Sequence, residues 1–431
     1  MSDLTHQKFT VDITKIKNPN EKSLLFEING NKEYGFNKSI VNGIRRTLLT
    51  SIKTIAFNDN DIIIEENTGA LHNEFLKSRI GLIPLYIDPN EFHKSYLFEL
   101  NIDGFDTPII NITADMFNIY GLNKTTTDTI EKQSLMGDIP DEENILLKMN
   151  NISKEYYNMD KKLPDKLKKQ IFKQFNFNGK DNYFLITELK LTNSDFDNEK
   201  IKLYASPTIS TSKENARFNN LSTVVYSFKK DNDIFQKVLK DKLQINKITK
   251  KKEADSFGKS LYLSESERYF HKDNNEEPYW YNFEIVSNHH FSPKEVLIQS
   301  IDILNNRFIN MENNLKMMLK QSDISSGKYN INRFKNDQTY QVSIDNEDDT
   351  VGSIIQSHAV NKFINNETFI QLCGYKKPHP LIDNIIFNVM ILPTDYTEIQ
   401  KVTYITEFLI NVIVDIKYIL EIIKSQCDST I

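Results

Sequence analysis

Apolar residues recur along the chain with two different periods, and their order predicts strands and helices. Short alternating runs within residues 9–36 predict two strands. Residues 37–52 carry apolar side chains every three or four positions, which is typical of an amphipathic helix. Longer helical stripes follow at residues 292–319 and 395–424, and a shorter one covers residues 350–363. The pattern therefore predicts a mixture of strands and amphipathic helices.

The order of these elements repeats within the chain. Strands, a short helix and a long helix occur once before residue 322 and again after residue 337. Ser292, Pro293 and Glu295 form a capping-box pattern that predicts the start of the first long helix. The stripe of the second long helix is close to a heptad seam, which usually contacts another helix. Two similar units in one chain suggest an internal pseudo-dimer.

A long stretch between the two helices of the first copy has a different character. Residues 118–181 and 230–278 are rich in charge, and residues 184–230 have strand character. We expect surface elaborations at both charged regions. Gly43 lies inside the first predicted helix, where it costs about 1 kcal/mol relative to alanine. It is either accidental or marks a close approach by another backbone.

Composition narrows the class of protein. The 431 residues suggest about three domains, and 26% charged with 39% hydrophobic residues indicates a globular chain. The formal net charge of −6 disfavours nucleic-acid binding by this chain alone, although the basic run at residues 247–252 leaves a local patch open. Residues 1–10 lack an apolar signal core, and no stretch approaches roughly 20 apolar residues. We expect a soluble, intracellular protein without a membrane segment.

Candidate chemistry is sparse. The two cysteines, Cys373 and Cys427, exclude a disulfide framework and a cysteine-rich zinc module. The eight histidines form no metal-type pair, and the adjacent His289-His290 has poor geometry for a metal. Glu65 and Glu66 invite a hydrolase hypothesis, but adjacent strand residues point to opposite faces. Gly-rich phosphate loops and serine-hydrolase or zinc-protease motifs are absent from the sequence.

Three segments carry a specific resemblance. They read N-G-I-R-R at residues 42–46, E-E-N-T-G-A-L-H-N-E-F at residues 65–75 and R-I-G-L-I-P-L at residues 79–85. In this order they resemble the third-largest subunit of eukaryotic RNA polymerase II and its archaeal counterpart, which is designated D.

Two later segments resemble the small partner of that protein, which is designated L in archaea. They read D-D-T-V-G-S-I-I at residues 348–355 and G-Y-K-K-P-H-P-L at residues 374–381. Asp349 stands where the family usually has histidine, and Ser353 where it usually has asparagine. The chain thus looks like a D-like and an L-like polypeptide fused head to tail, an arrangement that resembles the one in large nucleocytoplasmic DNA viruses.

The resemblance implies an α+β fold with two alpha-type dimerisation units that form an intrachain pseudo-dimer, plus a mixed, mainly β insertion domain. We expect the first unit at residues 1–55 and 281–322, the insertion domain at 56–280, a linker at 323–337 and the second unit at 338–431. The predicted pseudo-dimer interface lies on the helical stripes, at Ile40, Ile44, Leu48, Ile301, Leu304, Phe308, Val351, Ile355, Leu409, Val412 and Ile416.

The resemblance also implies a function. The chain would be a non-catalytic assembly platform of a DNA-directed RNA polymerase that docks the second-largest, beta-like subunit. The predicted docking residues are Arg45, Arg46, Glu65, Glu66, Asn67, His72, Glu74 and Arg79. Its partners would be the largest and second-largest subunits and a small zinc-binding subunit, and it would meet DNA and RNA only through the complex. The expected location is the cytoplasm of a host cell or a virion if the protein is viral, and otherwise intracellular.

The resemblance implies no catalytic residue, cofactor or metal in this chain. Some relatives hold a cysteine-bound zinc or iron–sulfur site in the insert, but both cysteines here lie beyond it. Two alternatives remain: a free-standing nucleic-acid-binding transcription factor that uses residues 247–252, and a hydrolase that uses Glu65 or Glu66.

Overall fold

The protein is described by a computed structural model. The structure describes residues 12–17, 21–30, 32, 36–89, 96–123, 156–191, 198–287, 291–321, 325–326, 329–333, 338–364 and 369–431. His289 and His290 lie outside the described residues, as do residues 124–155 of the first charged region.

The helices are α1 (Lys38–Thr50), α2 (Asn73–Gly81), α3 (Asp165–Ile171), α4 (Asn232–Ile245), α5 (Lys251–Glu265), α6 (Pro293–Gln321), α7 (Asp349–His358) and α8 (Glu398–Thr430). A π-helical turn at Ala359–Ile364 continues α7. The strands are β1 (Asp12–Lys17), β2 (Ser23–Asn29), β3 (Lys53–Asn67), β4 (Tyr96–Ile102), β5 (Ile109–Thr113), β6 (Asn118–Leu122), β7 (Tyr157–Lys162), β8 (Phe175–Phe177), β9 (Lys180–Asn182), β10 (Leu185–Lys190), β11 (Ile201–Thr211), β12 (Leu221–Phe228), β13 (Trp280–Ser287), β14 (Ser325–Ser326), β15 (Tyr329–Arg333), β16 (Thr339–Asp345), β17 (Ile370–Lys376) and β18 (Asn384–Ile391).

The described residues fall into two compact units. Unit 1 draws on residues up to 51, on 221–287 and on 291–431, whereas unit 2 is built from residues 52–220. The chain therefore leaves unit 1 after α1 and returns to it at β12.

Unit 1 contains two antiparallel sheets with matching strand orders. The first sheet has the order β1-β2-β13-β12, and the second has the order β14-β15-β16-β18-β17. Apart from the two-residue β14, each sheet places its second strand beside its last strand in sequence. In each, a helix follows the second strand and a long helix follows the last. The repeated element order predicted from the sequence is thus present in the strand topology.

Four helices of unit 1 pack on one another. α1 packs against α6 and α7, and α8 packs against α6 and α7. Side chains on these helices form the apolar interior because their stripes recur at helical spacing. All eleven residues of the predicted interface are buried, each at most 1% exposed.

Unit 2 is built around a twisted antiparallel sheet with the order β3-β11-β4-β6-β7, and β10 pairs separately with β5. Its core contains a cluster of aromatic rings from β3, β4 and the segments after β5 and α3: Phe57, Phe98, Phe117 and Phe172. Edge-to-face and offset stacking between such rings adds to the stability gained from their burial.

The described boundary of unit 2 differs from the predicted insertion domain at residues 56–280. β12 pairs along its length with β13, which pairs with β2, so residues 221–228 belong to the first sheet of unit 1. The helices α4 and α5 then form a second, smaller insertion between β12 and β13. The expectation drawn from the family resemblance treated residues 56–280 as one insertion, whereas the structure places β12 in unit 1.

The predicted linker also contains structure. Residues 329–333 form β15, which pairs with β16 over five positions. The second sheet therefore begins inside the segment predicted to be a linker. The prediction missed this strand because most of its residues are polar.

Candidate partner-docking surfaces

α1 and α7 approach each other closely at Gly43. A Cβ atom built on Gly43 would lie 2.5 Å from Cδ1 of Ile354 and 3.6 Å from Cγ2 of Thr350. The glycine thus provides room for a side chain of the opposite helix. This arrangement favours a close approach over an accident as the explanation for Gly43. The atoms that approach the glycine belong to side chains of α7 and not to its backbone.

The two short helices correspond to each other position by position. Asn37 caps α1 by accepting a hydrogen bond from the amide of Ser39, and Asp348 caps α7 by accepting one from the amide of Thr350. Counting from these caps, the buried residues Ile40, Val41, Gly43, Ile44, Thr47 and Leu48 match the buried residues Val351, Gly352, Ile354, Ile355, His358 and Ala359. Gly43 therefore lies against its own counterpart, Ile354.

The long helices α6 and α8 are joined by ion pairs as well as by apolar packing. Lys417 lies 2.8 Å from Glu312, and Lys424 lies 2.6 Å from Asp302. Arg307 of α6 reaches Asp348 at the start of α7, at 3.0 Å. The buried triplet Ile301, Leu304 and Phe308 has the same spacing as the triplet Leu409, Val412 and Ile416.

A buried polar cluster joins α7 to α8. His358 Nε2 and Lys362 Nζ each lie 2.6 Å from Oδ2 of Asp415. Burial lowers the pKa of His358 more than the carboxylate raises it, so the ring is neutral near pH 7 and donates from Nε2. Burial raises the pKa of Asp415, but the hydrogen bonds from His358 and Lys362 outweigh it and lower this pKa to about 2.

Residues 348–355 and 374–381 meet at Tyr375. A Cβ atom on Gly352 would lie 2.6 Å from Cδ2 of the Tyr375 ring, so the ring packs on the glycine. The amide of Tyr375 donates to Gln356 Oε1 at 2.9 Å. Burial and a hydrogen bond with Asp349 raise the pKa of Tyr375. Asp349 is therefore a contact of Tyr375.

Arg45 and Arg46, the predicted docking residues of unit 1, are half-buried. Arg45 Nε donates to Asn42 Oδ1 at 3.0 Å on its own helix. The charge of Arg46 acts on the phenol of Tyr375, whose pKa it lowers against the stronger effect of burial. Arg46 thus lies near Tyr375.

The other six predicted docking residues lie in unit 2, at the end of β3 and along α2. Asn67 organises the loop: its Nδ2 donates to the carbonyl of Leu71 and to Asn73 Oδ1, while its Oδ1 accepts from the amide of Gly69. His72 caps α2 through a 3.4 Å hydrogen bond from the amide of Glu74 to its Nδ1. Asn67 and His72 therefore shape the loop.

Arg79 fixes α2 to β10. Its Nε and Nη2 donate to the carbonyls of Ile186 and Leu185 at 2.6 and 2.8 Å. Although the side chain is exposed, these bonds give it a local structural role.

Arg217 has a structural role and is not among the predicted site residues. Its guanidinium donates to both carboxylate oxygens of Asp59 at 2.7 Å and to the carbonyl of Phe57 at 3.0 Å. The hydrogen bonds and the charge of Arg217 lower the pKa of Asp59. A Cβ atom on Gly81 would lie 2.6 Å from Nη1 of Arg217, so the glycine of the R-I-G-L-I-P-L segment makes room for it. Arg217 lies beside the buried Phe218 in the short segment between β11 and β12.

α2 also presents apolar side chains to solvent. Phe75 is 69% exposed and Leu82 is 59% exposed. Phe75 lies in the first turn of α2, and Leu82 is the C-cap residue that directly follows the helix. Glu66 and Glu74 are exposed nearby in the sequence. We call Phe75 and Leu82, with the acidic residues Glu66 and Glu74, the α2 surface.

Glu65 and Glu66 lie at an irregularity in the pairing of β3 with β11. The register of β3 and β11 passes from Glu66 opposite Lys202 to Ile64 opposite Leu203, which leaves Glu65 in a β-bulge. Glu65 pairs with Lys202 at 2.9 Å. This arrangement explains the exposure of both glutamates as a feature of the strand end.

The described residues offer no group of three or more His, Cys, Asp or Glu side chains that could hold a metal ion. Cys373 and Cys427 are buried free thiols, and burial raises the pKa of each to about 12. Among the helices that the structure describes, none is both long and apolar enough to span a bilayer.

Sequence comparison gives the family. Residues 32–308, well over half of the chain, match the RNA polymerase Rpb3/Rpb11 dimerisation domain. The chain belongs to this family. The match includes α1, unit 2 and the first half of α6, whereas residues 338–431 lie beyond it.

Individual relatives are similar over shorter stretches. Subunit RPAC1 of DNA-directed RNA polymerases I and III from Homo sapiens is 32% identical over 90 residues, which are 21% of this chain and 23% of the relative. The Dictyostelium discoideum subunit rpac1 is 33% identical over 95 residues, 19% of this chain and 27% of the relative. A conjugation stage-specific protein of Tetrahymena thermophila is 31% identical over 93 residues, 20% of this chain and 29% of the relative. The chain thus spans about a quarter of the length of the curated relatives it matches.

Proposed function

We propose that this protein is a non-catalytic assembly subunit of a DNA-directed RNA polymerase, in which a D-like half and an L-like half are joined in one chain as a pseudo-dimer. Family membership and the similarity to subunit RPAC1 support the polymerase assignment. The fused organisation is supported by the matching strand orders of the two sheets.

The contact between Gly43 and Ile354 carries the pseudo-dimer proposal. In a two-fold arrangement, a residue near the axis lies against its own counterpart in the other half. Gly43 and Ile354 are such counterparts and are in contact. The long helices α6 and α8, which also correspond, pack on each other as a second counterpart pair. Joining the halves raises their effective concentration to about the millimolar range.

In unit 2, docking of the second-largest subunit would use exposed groups rather than those that hold the local fold. Asn67, His72 and Arg79 are engaged in hydrogen bonds that shape their own segment. The α2 surface offers apolar anchors with a polar rim, which suits a protein interface. In unit 1, the half-buried Arg45 and Arg46 would form a separate cationic contact.

Affinity purification from the native source tests the polymerase assignment. We expect two very large polypeptides in equal amounts with the tagged chain, identified by mass spectrometry. Replacing Arg45 and Arg46 by glutamate should reduce their recovery. The matched control replaces the exposed Lys237 and Lys240 of α4 by glutamate, with the same change in charge. Equal recovery from both variants would show that the arginines do not contribute to the interface. If no large polypeptides are recovered with the wild-type chain, the polymerase assignment is contradicted.

A protease site placed within residues 323–337 tests the pseudo-dimer. After cleavage the two fragments should remain together in gel filtration at micromolar concentration, because helices α1 and α6 bury their stripes against α7 and α8. Fragments that separate would contradict the proposal without affecting the family assignment.

A further inference from the structure

Unit 2 carries a projecting hairpin that the assembly role does not use. β8 and β9 form a two-stranded sheet of three residues each. Asn178 and Gly179 occupy the turn with φ of 51° and 76°, the combination that a two-residue type I′ turn requires. The turn holds the strands in register although an isolated two-stranded sheet is marginal in water. The hairpin is thus a short, defined projection.

One face of this hairpin is aromatic and exposed. Phe175 is 50% exposed and Phe177 is 64% exposed. Being two positions apart on a strand, they share a face and stand about 6.6 Å from each other. Lys180 lies directly opposite Phe177, so its stem starts on the same face. Asn176 and Asp181 form the other face, where they hydrogen bond to each other.

An open pocket of about 350 Å³ lies at the base of the hairpin. It is lined by Lys169, Phe172, Lys173, Gln174 and Tyr183, without a carboxylate. Lys173 Nζ stands 4.4 Å above the ring of Tyr86, which holds this lysine beside the pocket. The pocket therefore combines cationic and amide donors with aromatic walls.

The segment around the hairpin is basic in an acidic chain. Residues 160–182 contain seven lysines and three aspartates, whereas the whole chain has a net charge of −6. Asp165 is within 3.7 Å of Lys168, and Asp181 is engaged with Asn176, so two of the three carboxylates have local partners. The remaining positive charge favours an anionic partner.

We propose that α3 and the β8–β9 hairpin form a binding surface for single-stranded nucleic acid, with Phe175 and Phe177 as stacking platforms and Lys169, Lys173 and Lys180 as phosphate contacts. Flat aromatic faces combined with flexible cations are the groups by which proteins bind single strands without reading sequence. An apolar protein partner would not need the lysines, and a duplex hides the base faces that the phenylalanines would stack on. The surface lies apart in sequence from the α2 surface and goes beyond the proposed assembly function.

Fluorescence anisotropy with the full-length protein tests the proposal. The probes are labelled oligothymidylate and oligouridylate of about 12 nucleotides, within the range that single-strand sites cover, at a salt concentration of about 0.1 M. We expect binding of at least one single strand that is about tenfold tighter than that of a blunt duplex of the same length. Equal affinity for the duplex, or no binding of either single strand, would overturn the proposal.

Variants separate stacking from general attraction. Replacing Phe175 and Phe177 by alanine should weaken binding about tenfold or more, and replacing both by leucine should do the same, because leucine keeps apolar area but has no π-face. The matched control replaces Ile245 and Leu263, exposed by 77% and 86% on α4 and α5, by alanine. Leucine variants that bind like the wild type would overturn the stacking role.

The lysines have their own control within the chain. Replacing Lys169 and Lys173 by glutamate should reduce the slope of log affinity against log salt by about 1.4, since each phosphate contact on a single strand contributes about 0.7. The same change at Lys251 and Lys252, the first two residues of α5 and the end of the basic run at residues 247–252, should leave the slope unchanged. If only the Lys251 and Lys252 variant loses binding, residues 247–252 contact the nucleic acid and the proposal is overturned.

Discussion

Gly43 and Ile354 are in contact at the crossing of α1 and α7, although 310 residues separate them in the sequence. The pair combines the smallest residue of one helix with a large residue of the other. A methyl group added at position 43 would overlap Cδ1 of Ile354. The close approach of the two helices therefore depends on this glycine.

Gly43→Ala should lower the free energy of unfolding by about 1 kcal/mol, because the overlap with Ile354 exceeds the gain of about 1 kcal/mol in helix propensity. Gly258→Ala is the matched control. Gly258 also lies inside a helix, but there the added Cβ would be 3.6 Å from Cδ2 of Leu239, an ordinary contact. That variant should be more stable than the wild type in urea unfolding.

A double-mutant cycle identifies the cause of the first effect. Ile354→Val removes Cδ1, so Gly43→Ala in this background should no longer destabilise the chain. If the cost of Gly43→Ala is the same in both backgrounds, Ile354 is not the group that opposes the alanine.

Leu409→Asp should prevent folding of unit 1. Leu409 is 1% exposed on α8, and a carboxylate buried there without a partner costs several kcal/mol. Val414→Asp on the same helix is the control, since Val414 is 36% exposed. We expect soluble protein with a cooperative thermal transition only from the control. A folded Leu409→Asp variant would show that α8 is not required in its described position.

Stability should fall in acid through the cluster at Asp415. The lowered pKa of His358 means that the unfolded chain binds a proton first, so stability decreases as the pH falls below the ordinary histidine value of 6.5. The carboxylate of Asp415, with a pKa of about 2 against an ordinary value of 3.8, contributes stability above pH 4 that is lost between about pH 4 and 2. His358 and Asp415 therefore both lower the free energy of unfolding as the pH falls.

Asp415→Asn tests this assignment. It should cost about 3 kcal/mol at pH 7, because a buried hydrogen-bonded charge is lost beside Lys362. Its stability should also vary less between pH 4 and 2 than that of the wild type. Asp302→Asn is the control: Asp302 pairs with Lys424, but both side chains are about 40% exposed, so the cost should be below about 1 kcal/mol. Equal losses in guanidinium unfolding would refute a special role for Asp415.

The α2 surface makes a prediction about assembly rather than stability. Replacing Phe75 and Leu82 by serine should reduce the recovery of very large polypeptides in affinity purification several-fold, since exposed aromatic anchors dominate protein interfaces. The melting temperature should change little because both side chains are exposed. Serine at Ile245 and Leu263 is the control. Full recovery from the Phe75 and Leu82 variant would exclude the α2 surface as a docking site.

Local elements followed from the sequence because their signals are local. The capping box at Ser292 is present: its amide donates to Glu295 Oε2 at 2.8 Å, and its Oγ accepts from the amide of Glu295 at 3.3 Å. The stripe that predicted a helix at residues 395–424 corresponds to α8, which begins three residues later after a capping box at Thr397. Terminal turns extend such helices beyond their stripes, so the end of α8 at Thr430 was not visible in the pattern.

Long-range partners were beyond the reach of the sequence. No local sequence pattern around β12 indicates that it pairs with β13, from which two helices separate it. The predicted insertion domain therefore wrongly included β12. Arg217 and Asp59 are 158 residues apart, and their bidentate contact depends on the room left by Gly81. Similarly, the docking prediction could not separate Asn67 and Arg79, which hold their own segment, from residues exposed for a partner.

Both insertions of the first half flank the same strand. Unit 2 enters before β12, the helices α4 and α5 enter after it, and β12 is the outermost strand of its sheet. Material added at an outer strand does not interrupt the hydrogen bonding of β1, β2 and β13. A change of length in either added segment therefore acts at the rim of the sheet, and the pairing of β2 with its two neighbours does not depend on it.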